Sequence, residues 1–163
     1  MKTNSFHKKL IKYCTTIFFS IIILNSFSIG NIKTSNESNS NNNTQWQLYA
    51  EKDGIAIYFK TKELHIESDG IHQEYYLLKF VNTSDKDLKI NWKLDIWYND
   101  VCRTCKLASP NEYELYLTLK KGESIEGNLS TPGKELKIFS SNLNTKNSSL
   151  TKFELNNIVV TKL

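Results

Sequence analysis

The stretch that decides the fold is LKINWKLDIWY, which spans residues 88–98. Every second position in it, from Leu88 to Tyr98, is apolar, and the positions between them are polar except for Trp97. Because side chains of a β-strand alternate between two faces, this period of two predicts a long strand with one face in a core and one in water. The predicted inward residues are Leu88, Ile90, Trp92, Leu94 and Ile96.

Shorter runs elsewhere repeat this alternation. Ile55, Ile57 and Phe59 form one, residues 113–119 form another, and residues 75–81 are apolar on both faces except at Lys79. Turn dipeptides separate the runs, at Asp53-Gly54, Asp69-Gly70, Lys121-Gly122 and Pro132-Gly133. About seven to nine short strands without a sustained helical period predict an all-β fold, an antiparallel immunoglobulin-like β-sandwich, with a small barrel as the alternative.

Two irregularities interrupt the strand pattern. Gly127 lies inside the run 124–129, where a glycine predicts a β-bulge. In the last run, the apolar phase shifts across Asn156-Asn157, from Leu155 to Ile158. A second bulge there is expected to redirect the end of the chain.

The charge distribution excludes one class of partner. The chain of 163 residues carries a formal charge of +4, but four of its lysines lie in the first 28 residues. Without those four, 17 basic residues face 17 acidic ones, so the remaining chain has no net charge. A nucleic-acid binder needs an excess of Lys and Arg to neutralise phosphates, so we expect no nucleic-acid partner.

The first residues have the features of a secretory signal. Lys8 and Lys9 precede the apolar run 17–24, and small residues follow at Ser26 and Ser28. This order predicts a signal peptide over residues 1–30. The alternative is an uncleaved anchor, because the 17 residues from Tyr13 to Ile29 are just long enough to span a bilayer. We expect a membrane contact only through this segment, and only if it is not cleaved.

Residues 31–44 are dominated by Asn, Ser and Thr, which offer almost nothing apolar to bury. This composition predicts a disordered linker. Residues 45–163 remain as one β-sandwich domain, large enough to fold without a metal. Both interpretations of the N-terminal segment place this domain outside the cytoplasm, in the periplasm, at the cell surface or secreted.

The motif Cys102-Arg103-Thr104-Cys105 allows three interpretations. A redox dithiol needs its first cysteine at a helix N-terminus, whereas this pair lies between two strands. A zinc site needs two more ligands, and only His65 and His72 are at hand. We favour a structural disulfide between Cys102 and Cys105, since the third cysteine, Cys14, belongs to the signal and an oxidising compartment favours pairing.

Titratable side chains elsewhere give weaker signals. His65 and His72 flank the turn at 69–70 and can converge with nearby acids if the two strands pair, but their place on a polar face is explained by solvent exposure alone. We therefore expect no metal and no cofactor. The paired acids do not match a hydrolytic arrangement, and no nucleophile elbow or phosphate-binding glycine loop occurs; these acids are Glu112 with Glu114 and Glu123 with Glu126.

Two aromatic residues lie on faces that are otherwise polar. Trp97 shares its face with Lys93 and Asp95, and Tyr116 holds the corresponding position in the next run. If these strands are neighbours, the two rings form an exposed aromatic patch that binds a partner or a sugar. The alternative is that another strand or the linker covers them.

The run LLKFVNTSDKDLKINW, residues 77–92, resembles a hairpin found in many exported immunoglobulin-like bacterial domains. In those domains an apolar strand ends in Asn-x-Ser-Asp and the next strand alternates. Residues 45–163 as a whole are similar to small exported immunoglobulin-like β-sandwich proteins of unassigned function from Bacteroidota. The resemblance implies a sandwich and an extracytoplasmic address, and it carries no activity.

These patterns together predict a non-catalytic exported domain that acts as an interaction or structural module of the cell envelope, with an envelope protein or a glycan as its partner. The second hypothesis is a carbohydrate-binding module that uses Trp97 and Tyr116. A hydrolase is the third.

Overall fold

The computed structural model describes residues 45–130, 132–145 and 147–163, so the predicted signal peptide (1–30) and linker (31–44) lie outside the described residues. No helical segment within these ranges has the length and apolar character that crossing a bilayer requires. The described residues form a short 3₁₀ turn at Glu67–Asp69 and nine strands, β1 (Gln47–Lys52), β2 (Ile55–Ile66), β3 (Ile71–Asn82), β4 (Leu88–Tyr98), β5 (Val101–Cys102), β6 (Glu114–Leu119), β7 (Ser124–Glu126), β8 (Lys137–Asn142) and β9 (Leu150–Lys162).

The strands form two antiparallel sheets, so the predicted all-β class is confirmed. In the first sheet, β1, β2 and β3 are neighbours in sequence order, and β7 and β8 share the free side of β3. In the second sheet, β4 is central: β9 pairs along one side of it, and β5 and β6 share the other side.

Tight turns connect the strands of two hairpins, β1–β2 and β4–β5. Asp53 and Gly54 have φ values of 47° and 86° between β1 and β2, and Asn99 and Asp100 have values of 48° and 64° between β4 and β5. Two-residue hairpin loops favour two positive φ angles because the turn then follows the right-handed twist of the strands. Asn, Asp and Gly adopt this conformation most readily, so these dipeptides fix the strand register locally.

The core lies between the two sheets, and the predicted inward residues of β4 are all buried. Trp92 is only 2% exposed, and its ring stacks on Phe80 of β3 with 4.8 Å between the centroids. This contact joins the central strands of both sheets. The alternation along β4 therefore identifies the core face correctly.

The segment between β3 and β4 crosses from one sheet to the other. The expectation that residues 77–92 form a hairpin is therefore wrong, because β3 pairs in the first sheet and β4 in the second. Buried Asn82 organises the crossing: its side-chain amide donates to the carbonyls of Lys86 (2.7 Å) and Leu119 (3.2 Å), and its Oδ1 accepts from the Ser84 N–H (2.9 Å). A short polar link can thus join two sheets as well as two paired strands.

The bulge predicted at Asn156-Asn157 is confirmed. Asn91 pairs with Val159 and Lys93 pairs with Asn156, so β9 has one residue more than β4 in this interval. Asn157 has φ at 53°, a left-handed conformation that Asn tolerates better than most residues. The extra residue moves the inward phase from Leu155 to Ile158.

Gly127 does not mark a bulge inside a strand. It follows β7, where its N–H donates to the Leu78 carbonyl (2.9 Å), and the Leu78 N–H donates to the Leu136 carbonyl (2.9 Å). A Cβ atom at position 127 would lie 2.1 Å from the Leu136 oxygen. At this point β8 takes over from β7 as the neighbour of β3, and the backbones at Gly127 and Leu136 come very close. Only glycine, which has no Cβ atom, fits this approach.

Tyrosine hydroxyls link the two sheets at the end of the core. The Tyr98 hydroxyl donates to the Phe139 carbonyl at 2.6 Å, and the Leu155 N–H donates to the Tyr49 hydroxyl at 3.0 Å. Burial, with smaller contributions from Tyr113 and Tyr75, raises the pKa of Tyr98 to about 12. Both links hold the sheets in a fixed relation at this end.

Candidate functional site

The outer face of the second sheet carries a groove with a volume of about 410 Å³. Strands β4 and β6 form its floor, because Asn91 pairs with Tyr116 and Lys93 pairs with Glu114. Ser109 from the loop before β6 and Asn157 from the bulge of β9 complete it. The lining residues are Asn91, Trp92, Lys93, Ser109, Glu114, Leu115, Tyr116 and Asn157.

Of the two aromatic residues that line the groove, Tyr116 is 62% exposed, whereas Trp92 is buried. The Lys89 ammonium lies 4.8 Å from its ring centroid, so a cation already contacts the ring. Exposure of a large aromatic side chain beside polar groups is a feature of binding surfaces.

The bulge of β9 places two successive asparagines on the outer side of the sheet. Asn156 pairs with Lys93 and reaches Asp95, while Asn157 lines the groove. In a regular strand two consecutive side chains point to opposite faces. The extra residue therefore adds a second amide to the outer face.

Asp95 lies beside the groove, and it is a buried carboxylate on the outer face of β4. Although this face is polar, the residue is only 6% exposed. The Lys93 ammonium lies 3.2 Å from Oδ1, and the Asn156 amide donates to Oδ2 at 2.9 Å. Lys93 also donates to the Cys105 carbonyl at 3.2 Å. Asp95 thus fixes the position of the lysine at the edge of the groove.

Thr104 covers Asp95 from the loop after β5. Its hydroxyl lies 3.1 Å from Asp95 Oδ1 and accepts a hydrogen bond from the Ile96 N–H at 3.0 Å. The residue is almost completely buried. Buried polar groups need hydrogen-bond partners, and here the loop after β5 and strand β4 supply them to each other.

Cys102 and Cys105 form the predicted disulfide. The Arg103 N–H donates to the Ile96 carbonyl at 2.9 Å, which holds the disulfide loop against β4. Among the described residues, the group of at least three potential metal ligands consists of Asp95, Cys102 and Cys105, and it includes neither histidine of the zinc interpretation. Because the two sulfur atoms are bonded to each other, neither is a free thiolate ligand.

Trp97 and Tyr116, the two rings of the predicted patch, lie on the same face but are not neighbours. Trp97 pairs with Cys102 and Tyr116 pairs with Asn91, six residues further back on β4. At about 3.3 Å per residue this separates them by about 20 Å along the strand. The Lys152 ammonium covers Trp97, 4.5 Å from its ring. The structure thus assigns Tyr116 to the groove and leaves Trp97 outside it.

The paired acids have separate partners. Glu112 pairs with Lys134, and Glu114 accepts from the Asn111 side chain at 3.3 Å. Glu123 accepts from the Lys120 N–H at 2.6 Å, and Glu126 lies 3.7 Å from Lys79.

His65 and His72 do converge, because they are direct cross-strand partners near the end of the β2–β3 hairpin. Their Nδ1 atoms are 2.9 Å apart. They lie on the first sheet and are not part of the groove.

Comparisons with protein-family models, with curated proteins and with solved structures found no match. The groove and its supports must therefore be interpreted from their own chemistry.

Sequence reasoning missed Asn91, Lys93, Asp95 and the asparagines of the bulge as one constellation. Two signals were available: the Lys93-x-Asp95 spacing, which places opposite charges side by side on one face, and the phase shift at 156–157. Neither signal identifies the loop that covers Asp95.

Proposed function

We propose that the protein is an exported, non-catalytic binding domain of the cell envelope with an immunoglobulin-like fold, and that the groove at Tyr116 is its binding site. The observation that carries this proposal is the groove itself, a concave site with one exposed aromatic ring and several hydrogen-bonding side chains from three different strands and a loop.

The strand pairing supports the immunoglobulin-like assignment. In such domains strands B and E pair in one sheet and strands C and F pair in the other. Here β3 is followed by a crossing to β4, β8 returns to pair with β3, and β9 pairs with β4. A tryptophan buried on strand C is typical of the fold, and Trp92 has this place on β4, stacked on Phe80 of β3.

The chemistry of the groove favours a carbohydrate over a protein partner. Tyr116 offers a flat ring for the apolar face of a sugar, while Asn91, Asn157 and Ser109 offer donors and acceptors for its hydroxyls. A protein partner usually needs a larger apolar centre.

The same lining supports binding rather than hydrolysis. Glu114 is the single carboxylate among the described residues that line the groove. Glycoside hydrolysis generally uses two carboxylates on either side of the bond. Asp95 does not supply the second, because Lys93, Asn156 and Thr104 occupy its oxygens.

A glycan array tests the ligand class, with Tyr116→Ala and Trp97→Ala as a matched pair. Both variants remove an aromatic ring from the same face, but only Tyr116 lines the groove. We expect the parent chain to bind a subset of glycans, Tyr116→Ala to lose that binding, and Trp97→Ala to keep it. Loss in Trp97→Ala alone contradicts a groove-based site.

Capture of partners from envelope extracts tests the competing ligand class with the same two variants. A protein that is retained by the parent chain and by Tyr116→Ala, with no glycan bound on the array, rejects the carbohydrate proposal. The interaction-module hypothesis then stands on a different surface.

Export is part of the proposal, and the disulfide supports an oxidising compartment. Mass spectrometry of the native protein should find an N-terminus between about residues 27 and 31, from the small residues at Ser26 and Ser28. An intact Met1 in the membrane fraction would instead identify an anchored protein.

A further inference from the structure

The inner face of the β2–β3 hairpin changes character along its length. Near the core it carries Ile57 and Phe59, paired with Phe80 and Leu78. Further along, the same face carries polar and titratable side chains in two cross-strand pairs, Glu63 with Glu74 and His65 with His72. A core face that ends in paired histidines and acids is well suited to bind a cation.

The two imidazole rings face each other through their Nδ1 atoms, which are 2.9 Å apart. Their other ring nitrogens point toward carboxylates: His65 Nε2 lies 3.0 Å from Glu63, and His72 Nε2 lies 3.8 Å from Glu67. The side chain of His65 is 46% exposed and that of His72 is 22% exposed, so an ion can reach the pair from solvent.

The hydrogen bonds decide which ring nitrogens carry protons when both rings are neutral. His65 donates its Nε2–H to Glu63, so its Nδ1 presents a lone pair. The bond between the rings is then donated by the Nδ1–H of His72. A metal ion that binds both Nδ1 atoms replaces this shared proton, which moves to Nε2 of His72 on the side of Glu67, so both rings stay neutral.

We propose that His65 and His72 bind one divalent transition-metal ion of the class that prefers imidazole, with Cu²⁺ as the best fit. For metal–nitrogen distances of about 2.0–2.1 Å, as in histidine sites, the observed separation corresponds to an N–metal–N angle of about 90°. Square-planar Cu²⁺ favours that angle, and Cu²⁺ has the highest affinity of the divalent first-row metals. Water completes the coordination.

The carboxylates have the role that outer partners have in known histidine metal sites. Such ligands usually donate their second ring N–H to a carboxylate, which orients the ring and raises its basicity. Glu63 makes this contact with His65 at 3.0 Å, and Glu67 lies 3.8 Å from Nε2 of His72. Glu74, which pairs with Glu63 and accepts from the Ser140 hydroxyl at 2.7 Å, adds a third carboxylate to this end of the hairpin.

The end of the hairpin is held in place by the loop after β8. The Leu143 N–H donates to the His72 carbonyl at 2.8 Å, and the Asn144 side chain donates to the Gly70 carbonyl at 3.3 Å. The backbone at His72 and at the turn is therefore supported from outside the hairpin, which reduces the reorganisation on metal binding. This site lies on the first sheet, so the proposal is independent of the groove and replaces the expectation of no metal.

The test is a Cu²⁺ titration of the full chain, purified without a polyhistidine tag and carrying His7→Gln, so that only His65 and His72 remain. Calorimetry should give one ion per chain, and the electron paramagnetic resonance spectrum should contain splitting from two nitrogen ligands. Either His65→Asn or His72→Asn should weaken binding by at least about tenfold. Glu63→Gln should weaken it by about tenfold, as expected for an outer partner of a ligand.

Glu126→Gln is the matched control, because Glu126 lies on the same sheet but pairs with Lys79. It should leave the affinity unchanged. Equal Cu²⁺ binding by the parent and by the His65→Asn/His72→Asn double variant, or no saturable binding by the parent, overturns the proposal. Circular dichroism of each variant checks the fold, and Glu63→Gln keeps the test decisive if a histidine variant fails to fold.

Discussion

The two faces of β4 look opposite in sequence, yet parts of both are buried. The inner face is apolar, and its side chains fill the core between the sheets. On the outer face, Asp95 is 6% exposed, a value within the range of the core residues. The difference lies in what covers each face: a whole sheet covers the inner one, whereas the disulfide loop, Lys93 and Asn156 cover Asp95. Alternation thus indicates which way a side chain points, but not whether water reaches it.

Substitutions on the two faces of β4 should also destabilise the protein for different reasons. Inner residues contribute through the apolar area they bury and the contacts they make. Asp95 and Lys93 contribute only as a pair, because burial of one charge without the other is unfavourable.

Trp92→Ala should have the largest effect, a loss of about 3–5 kcal/mol in the free energy of unfolding. The ring stacks on Phe80 and fills the space between the sheets, so its removal leaves a cavity. Trp92→Phe should cost much less, because within the described residues the indole N–H has no hydrogen-bond partner to lose. Urea unfolding followed by circular dichroism measures both values, and equal losses for the two variants would contradict the cavity explanation.

Asp95→Ala should lower the free energy of unfolding by about 2–4 kcal/mol. This is slightly less than the loss on breaking a fully buried ion pair, because Lys93 is partly exposed. Lys93→Met alone should also destabilise, since Asp95 then keeps only its amide and hydroxyl partners. In a double-mutant cycle, Lys93→Met with Asp95→Leu should cost clearly less than the sum of the single changes. Additive losses would mean that the two charges act independently.

Replacing both cysteines, as Cys102→Ser/Cys105→Ser, should cost about 1–3 kcal/mol, because the disulfide closes a short loop. The sheets should remain folded, while the loop that covers Asp95 loosens. Hydrogen exchange at the Ile96 and Arg103 amides, which bond to that loop and to β4, should therefore accelerate more than exchange at the core amides. Free thiols in the purified parent protein would refute a structural disulfide.

The smallest effect concerns Tyr98, where β4 ends. Its pKa of about 12 lies above the ordinary value of 10, so the folded state favours the neutral hydroxyl. This contribution is complete below pH 10 and is lost as the pH rises toward 12, with about 1 kcal/mol lost by pH 11. Between pH 9 and 11.5, the free energy of unfolding should fall less steeply for Tyr98→Phe than for the parent protein. An equally steep fall in the parent and in Tyr98→Phe would contradict this explanation.

Much of the fold could be predicted because its signals are local. Ile90, Trp92 and Leu94 identify the core face by alternation, and the phase shift at Asn156-Asn157 identifies the bulge of β9. The link from Asn82 to Asp87 shows the limit. A short polar connection suits either a hairpin or a crossing between sheets, and only the partners of β3 and β4 distinguish them.

The candidate site could be predicted only in part. Tyr116 stands out in sequence as an aromatic residue on a polar face, and so does Trp97. Their separation depends on the register between β4 and β6, which pairs Tyr116 with Asn91. Register is set by contacts between residues far apart in the chain, so no local pattern contains it.

The core face of β4, the tight turns, the position of the β9 bulge and the pairing of two nearby cysteines follow from the sequence, because each depends on residues within a few positions of one another. Only the folded chain shows which strands are neighbours, that a loop buries Asp95, and that His65 meets His72. These features arise when distant segments share one surface. Their free energy comes from packing and desolvation, which exist only once the chain has folded.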